Sequence, residues 1–239
     1  MTTPSTPRPR LLKLSGEALG AATETFDVRE LARVCREVLS GVARAPVGLV
    51  IGGGNIVRGN EFRSHANDPT RGDYMGMLAT MINALALRDG IERLGGHCEV
   101  VGPHPIPNVC RQYERAQVQA WLGQGVVVVF GGGTGHPFLT TDTAAALRAA
   151  EIGASELLKG SKVDGIYTAD PKKVTDAKRF DFLTFDQAVE GRYGVMDQAA
   201  FAICREQRIN IRVFDMTAAG GISAALGPHP PGTVVGEQQ

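Results

Sequence analysis

The chain has 239 residues, enough for one large α/β domain with a buried core, and its 25 Lys and Arg balance its 25 Asp and Glu. Zero formal charge excludes a global pull toward nucleic acid or an anionic membrane, so any bound anion must be held by local groups. The four cysteines, Cys35, Cys98, Cys110 and Cys204, form no C-x-x-C pair; this argues against a disulfide framework or zinc site and for a reducing, cytoplasmic setting.

Met1 to Pro9 is polar and Pro-rich without an apolar signal core, and reads as a disordered tail ahead of a single domain over residues 10–239. No run approaches the roughly 18 apolar residues of a membrane span. The first strand is RLLKLS, which places Lys13 in an apolar run and Ser15-Gly16 directly after it. A helix over Val28 to Ala43 follows, then the strand VGLVIGGG, with Asn55 as N-cap of a further helix and Arg58 about one turn into it. The next helix, Gly72 to Leu94, has Asp73 in its first turn. CEVVG is a strand, Glu114 to Leu122 a helix, and VVVVFGGG a strand that runs into TGHPFLTTD and a helix over Thr141 to Ile152. ELLKGSKVDGIYT is strand-like, and two helices follow at Thr184 to Gly191 and Met196 to Gln207. Thr184 with Gln187 has capping-box spacing. IRVFD closes the series as a strand.

Apolar strands alternating with helices argue an α/β fold whose largely parallel sheet is covered by helices, with ligands at the carboxyl ends of the strands. Two of those ends carry glycine triplets. Neither is a P-loop, because the chain contains no Gly-Lys dipeptide, and neither is a dinucleotide fingerprint, because the sixth positions are Val57 and His136. Kinase-style H-R-D and D-F-G signatures and G-x-S-x-G are missing as well. A tight turn accounts for one triplet by glycine's permissiveness alone. Two triplets at two strand ends point further, to backbone N–H groups presented to an anion.

Each polar residue near these turns has an ordinary account beside a chemical one. Lys13 is either a solvated strand lysine or a cation for a phosphoryl group in transfer. Arg58 is a surface arginine or a second such cation. Asp73 complements a helix dipole or accepts from ribose hydroxyls. Thr140, Thr141 and Asp142 cap a helix or help seat a phosphate monoester. Phe138 could offer a wall to a flat base, and the stretch with Ser161, Asp164-Gly165, Tyr167 and Asp170 is either a β-hairpin and turn or a nucleotide pocket in which Tyr167 packs against an adenine and polar groups fix the ribose. No H-E-x-x-H motif or EF-hand loop suggests a protein-built metal cage.

Taken in order, LLKLSGEAL, VIGGGNIVRG, GDYMGMLATMINALALRD, GGTGHPFLTTDTAAALRAAEI, KVDGIYTADPKK, YGVMDQAAF and IRVFDMTAAGGI resemble bacterial uridylate kinase (UMP kinase), of the amino acid kinase superfamily. The resemblance runs in register from residue 11 to about 222. It implies a three-layer αβα sandwich around a mostly parallel, about eight-stranded sheet, assembled as a homohexamer. It also implies the reaction of ATP and UMP to ADP and UDP, with magnesium accompanying ATP. Lys13, Leu14, Ser15 and Gly16 then match contacts to the ATP phosphates, with Lys13 catalytic. Gly54 and Arg58 fall on the ATP side, Arg58 as a second catalytic cation, and Ser161, Tyr167 and Asp170 match base and ribose contacts. Gly53, Asp73, Thr134, Gly135, His136, Pro137, Phe138, Leu139, Thr140 and Thr141 match the UMP contacts. GTP as activator and UTP as inhibitor are further expectations. The sequence departs from the pattern at His136, where the family commonly has Asn, and in ALGAATETFDVRE, which lacks the Gly-Phe-Gly turn of many members. A carboxylate or carbamate kinase of the same superfamily is the enzymatic alternative, and GDYMGMLAT with GTGHPF speaks against it. A non-catalytic nucleotide-storing or sensing protein is the other, and Lys13, Arg58 and Asp170 together speak against that.

Overall fold

In strand β1, Arg10–Leu14, the two-residue alternation sends Leu11 and Lys13 to one face of a sheet and Leu12 and Leu14 to the other, and all four are buried. A strand buried on both sides must lie between two helical layers, and the computed structural model places it there. The structure describes residues 7–20, 24–57, 67–191 and 193–237. The other strands are β2 (Val47–Ile51), β3 (Cys98–Gly102), β4 (Arg111–Gln112), β5 (Val127–Phe130), β6 (Glu156–Ser161), β7 (Phe182–Thr184), β8 (Asn210–Asp215) and β9 (Thr233–Gly236). They form one nine-stranded sheet in the order β4-β3-β5-β2-β1-β6-β8-β9-β7. Pairing between these strands is parallel except between β8 and β9.

One face carries helices α1 (Val28–Val42), α2 (Thr70–Arg93) and α7 (Gly221–Ala225), packed on Leu12, Leu14, Leu49, Val129 and Phe214. The opposite face carries α3 (Arg115–Gly123), α4 (Thr141–Ile152), α5 (Phe185–Glu190) and α6 (Gln198–Glu206), packed on Leu11, Val50, Val128, Leu157 and Val213. This is the three-layer αβα arrangement. Burying each of these leucines and valines contributes roughly 1.5–3 kcal/mol relative to exposure. Helix α4 lies against the sheet through Ala145, Ala146 and Ala149, small residues that favour helix and let it approach closely. It ends on Gly153 in the left-handed conformation, with φ of 66°.

The structure departs from the sequence expectations in four places. Strands β4, β7 and β9 were not legible, because they are two to four residues long and sit toward the two edges of the sheet. The run ELLKGSKVDGIYT is a strand only to Ser161. Beyond the Asp164-Gly165 turn, Ile166 O accepts from Phe180 N–H at 2.8 Å and Thr168 N–H donates to Lys178 O at 2.9 Å, a small antiparallel pairing of its own. Asn55 does not use its side chain as an N-cap; it forms a reciprocal amide pair with buried Asn83, at 2.7 and 3.1 Å, and donates to Thr25 O. Residues 1–6 of the expected tail lie outside the described residues, while Arg8 is tied to Gly153 O and Ala154 O, and Pro9 O accepts from Ser155 N–H. The capping box is present, with Thr184 and Gln187 bonding each other's backbone. Among the described residues no helix is long and apolar enough to cross a membrane.

Helix α7 starts on Gly220, which brings no side-chain cap, and its amino end is instead capped from α1. The Glu37 carboxylate, only 8% exposed, accepts from the N–H groups of Gly220, Ile222 and Ser223 at 3.0, 2.9 and 3.3 Å, and pairs with Arg33 at 2.9 Å. Replacing Glu37 by Ala strands three backbone donors and takes one of the partners of Arg33, which keeps Glu30 and Met216 O. The expected loss is about 2–4 kcal/mol of folding stability, read as a lower urea midpoint, with Glu37→Gln less severe.

Candidate active site

The strand order fixes where a ligand can enter. From β1 the chain moves through α1 to β2 on one side, whereas β6 lies on the other side of β1 and leads on to β7, β8 and β9. The direction of winding therefore changes between β1 and β6, and the carboxyl ends of these two strands flank the crevice where open α/β sheets bind ligands. Their register pairs Lys13 with Lys159. Laterally paired residues share a face, so buried Lys13 and largely buried Lys159 stand side by side on the face covered by α4.

Between them lies Asp142, in the first turn of α4. Lys13 Nζ lies 2.6 Å from Asp142 Oδ1, and Lys159 Nζ bonds Asp142 Oδ2. Burial alone would raise the Asp142 carboxyl, but the two ammonium groups outweigh it and hold the carboxyl below its usual range. Burial pushes Lys159 down from 10.5 to about 8, opposed by Asp142 and reinforced by Lys13. With all three groups ionised the cluster holds one net positive charge, in a setting where charge is poorly screened. That charge would attract an anion placed beside it.

Two glycine turns rim this centre. Ser15 Oγ accepts from Glu17 N–H and starts a 3-10 turn over Gly16–Ala18. A Cβ on Gly16 would collide with Asn55 Oδ1 and come within 2.7 Å of Gly52 O, so the turn after β1 and the turn after β2 touch. Gly53 is required by packing, since its Cβ would meet Gly76 O at 2.8 Å. Gly54 is different: among the described residues a Cβ there would meet nothing within 4 Å. The described residues leave room at Gly54 without needing it.

Beyond the carboxyl ends of β6 and β8 opens a cleft of about 510 Å³, whose walls include Lys159, Ser161, Tyr167, Asp170, Tyr193 and Val195. That volume suits a nucleoside-sized ligand. The Tyr167 hydroxyl donates to Asp164 Oδ1 at 2.5 Å, and Arg179 fixes the other carboxylate oxygen at 2.8 Å, so the ring is set by its own loop. Asp170 Oδ1 accepts from Lys172 N–H at 3.0 Å.

The second glycine run takes a different form. Gly132, Gly133 and Gly135 have φ of 77°, 59° and 81°, which L side chains rarely adopt, and Pro103 packs against Gly132 and Gly135. Gly132 N–H donates to Thr80 Oγ1 of α2 at 2.7 Å. Further on, Phe138 N–H donates to Asp73 Oδ2 at 2.8 Å, which joins the loop to the first turn of α2. Phe138 has φ of 68°, a costly conformation for a bulky residue, and leaves its ring 67% exposed. Thr134 is buried and exchanges hydrogen bonds with the His136 backbone, whose side chain is exposed. The loop thus curves beside the cluster, held from α2.

The fold therefore brings the sequence candidates into two groups around one centre. Lys13, Leu14, Ser15, Gly16 and Gly54 lie with the β1 and β2 turns, and Ser161, Tyr167 and Asp170 line the cleft. Gly53, Asp73 and the stretch Thr134 to Thr141 form the other side. Arg58 lies outside the described residues. Sequence reasoning missed Lys159 and assigned Asp142 no charge partner. A signal for the first existed: Leu-Leu-Lys occurs in both RLLKLS and ELLKGS, and the strands align those lysines. Among the described residues no three His, Cys, Asp or Glu side chains stand together as a metal cage.

A mostly parallel αβα sandwich with lysines and glycine turns at the carboxyl ends of its strands is an arrangement suited to holding a phosphate. Residues 9–215 match the model of the amino acid kinase family. The chain is 46% identical to uridylate kinase of Chelativorans sp. (strain BNC1) over 225 residues, which cover 92% of this chain and 91% of that protein. It is 47% identical to uridylate kinase of Xanthomonas oryzae pv. oryzae over 227 residues, covering 94% and 95%. The structure superposes on the crystal structure of UMP kinase from Bacillus anthracis with a TM-score of 0.92 and 33% identity over 98% of each chain. For UMP kinase from Ureaplasma parvum the values are 0.91 and 31%, over 97% and 99%. The chain belongs to the amino acid kinase family, in its uridylate kinase group.

The depressed Lys159 is directly measurable. Titrating the lysine side-chain resonances by NMR without nucleotide should show one group near pH 8 that vanishes in Lys159→Arg; a Lys159 resonance titrating near 10.5 would contradict its placement. The folded protein releases this proton earlier than the unfolded chain, so Lys159 makes stability rise with pH between about 8 and 10.5.

Proposed function

We propose that this protein transfers the γ-phosphoryl group of ATP to UMP, giving ADP and UDP, in the cytoplasm. The observation that carries the reading is the buried Lys13–Asp142–Lys159 cluster, which lies between a nucleoside-sized cleft and a glycine loop. The uridylate kinase relatives supply the substrate pair. The cleft with Ser161, Tyr167 and Asp170 is assigned to the ATP base and ribose, and Ser15, Gly16 and Gly54 to its phosphates. Gly53, Asp73 and Thr134 to Thr141 are assigned to UMP.

Phosphoryl transfer needs alignment of donor and acceptor and stabilisation of spread negative charge, with little covalent work from the protein. The acceptor is a phosphate oxygen, already ionised near neutrality, so no strong general base is required. Lys13 and Lys159 supply positive charge to the group in flight, and Arg58 is proposed as a third cation. Asp142 holds the two ammonium groups together against their repulsion and orients both. The residues at the centre offer cations and N–H donors, which fit magnesium as the counter-ion of ATP, bound through the triphosphate and water. Bound in that way it would neutralise phosphate charge.

The proposal extends to a homohexamer with GTP as activator and UTP as inhibitor. Support from the chain for association of subunits, though not for the effectors, is a stripe along α2, Tyr74, Leu78, Ile82 and Leu85, exposed at helical spacing and suited to burial between subunits.

A coupled assay with ATP, magnesium and each nucleoside monophosphate separates this reading from a carboxylate kinase or a storage protein: ADP release should depend on UMP, and its absence would sink the proposal. Lys13→Ala should lower turnover about 100- to 1000-fold while the protein still binds UMP. Asp73→Asn should weaken UMP binding and narrow the preference for UMP over dUMP, since a site built to bond a hydroxyl discriminates strongly against its absence. An unchanged preference would remove Asp73 from the ribose.

A further inference from the structure

We infer that Asp197 is a positioning residue for the transfer, joining the end of the acceptor loop, the first turn of α4 and the wall of the donor cleft through one carboxylate. It rests on the reading above and concerns a residue that reading leaves unused. Asp197 Oδ2 accepts from two hydroxyls at the amino end of α4, those of its N-cap Thr140 and, at 2.8 Å, of Thr143. Its Oδ1 accepts from Ala200 N–H at 2.7 Å and so caps α6. All three bonds are made by one half-buried side chain, and they tie α4 to α6.

The direction of the Thr140 bond matters. Its hydroxyl proton goes to Asp197, which leaves the oxygen free to accept from Asp142 N–H at 3.0 Å and cap α4. Asp197 thereby sets the hydroxyl that holds the backbone of Asp142, whose side chain holds both lysines. Thr140 is also where the acceptor loop meets its helix. On the other side, Tyr193 and Val195 line the cleft, and buried Met196 anchors the segment immediately before Asp197. A shift of Asp197 would move both substrate sites and the charge cluster together.

Asn tests this with little change in volume. Its amide cannot accept from two hydroxyls and a backbone N–H at once, and an NH₂ facing Thr140 turns that hydroxyl away from the role it plays. The expected result for Asp197→Asn is a kcat about 10- to 100-fold lower and a KM for UMP raised several-fold, because misplacement of about 1 Å costs up to about that much. The pH near 8 at which Lys159 titrates should also fall, since the Asp142 charge that supports its proton moves away. Thr143→Val should show the same pattern more weakly, and Thr143→Ser should behave as the parent. If the parent transfers phosphate to UMP but folded Asp197→Asn and Thr143→Val keep kcat, KM and the Lys159 titration, Asp197 only caps a helix and the inference is overturned. It is overturned equally if Thr143→Ser loses as much as Thr143→Val. A parent inactive on UMP would instead refute the proposed function. Should Asp197→Asn not fold, the two Thr143 variants decide alone.

Discussion

Two buried ammonium groups share one carboxylate at the centre of this molecule, and much of the surrounding structure is explained by what that arrangement demands. Unit charges about 4 Å apart interact by roughly 4 kcal/mol at the effective dielectric of a protein site, so Lys13 and Lys159 would not rest side by side without Asp142. Asp142 must therefore be delivered with precision, and a helix does so better than a loop. The strand register aligns the lysines, the alanine face of α4 lets the helix sit close to the sheet, and Thr140 fixes where that helix begins. The helix dipole at its amino end adds further positive potential. What remains is one net positive charge, fixed in place before any substrate arrives.

Fixed charge of this kind is what phosphoryl transfer uses, because groups already oriented need no reorganisation as negative charge spreads. The two glycine runs serve the same end by different means. After β2 no described residue fills the space a Cβ at Gly54 would take. After β5 the chain needs its glycines for left-handed backbone against Pro103, and the resulting loop is held to α2 by Thr80 and Asp73. In the proposed function the first run offers backbone to a ligand and the second shapes a wall. Asp197 then joins that wall to the opposite cleft.

The alternation of apolar runs and helical stretches made the α/β class and six of the strands legible, because buried parallel strands are nearly continuous in Val, Leu and Ile. Short edge strands such as Arg111–Gln112 carry no such signal, since their pairing comes from the neighbour rather than from their own pattern. At the site, glycines and Lys13 were readable from local pattern, and family resemblance ordered the rest. Asp142 was harder. A first-turn Asp has a sufficient local explanation in the helix dipole, and only tertiary structure shows that both its oxygens are claimed by lysines from two strands. Lys159 was hidden similarly, inside a run that looked like ordinary strand until the register set it opposite Lys13. Asn55 misled for the opposite reason: a good capping residue by type was engaged by buried Asn83.

The central claim is that this cluster meets the transferring phosphoryl group. The most direct measurement is a crystal structure with a non-hydrolysable ATP analogue, magnesium and UMP bound together. The account predicts the γ-phosphate within hydrogen-bond distance of Lys13 and Lys159 Nζ, the base in the cleft at Tyr167, and UMP under the loop from Thr134 to Thr141. A γ-phosphate bound away from both lysines, with the Lys13–Asp142–Lys159 contacts unchanged, would contradict it.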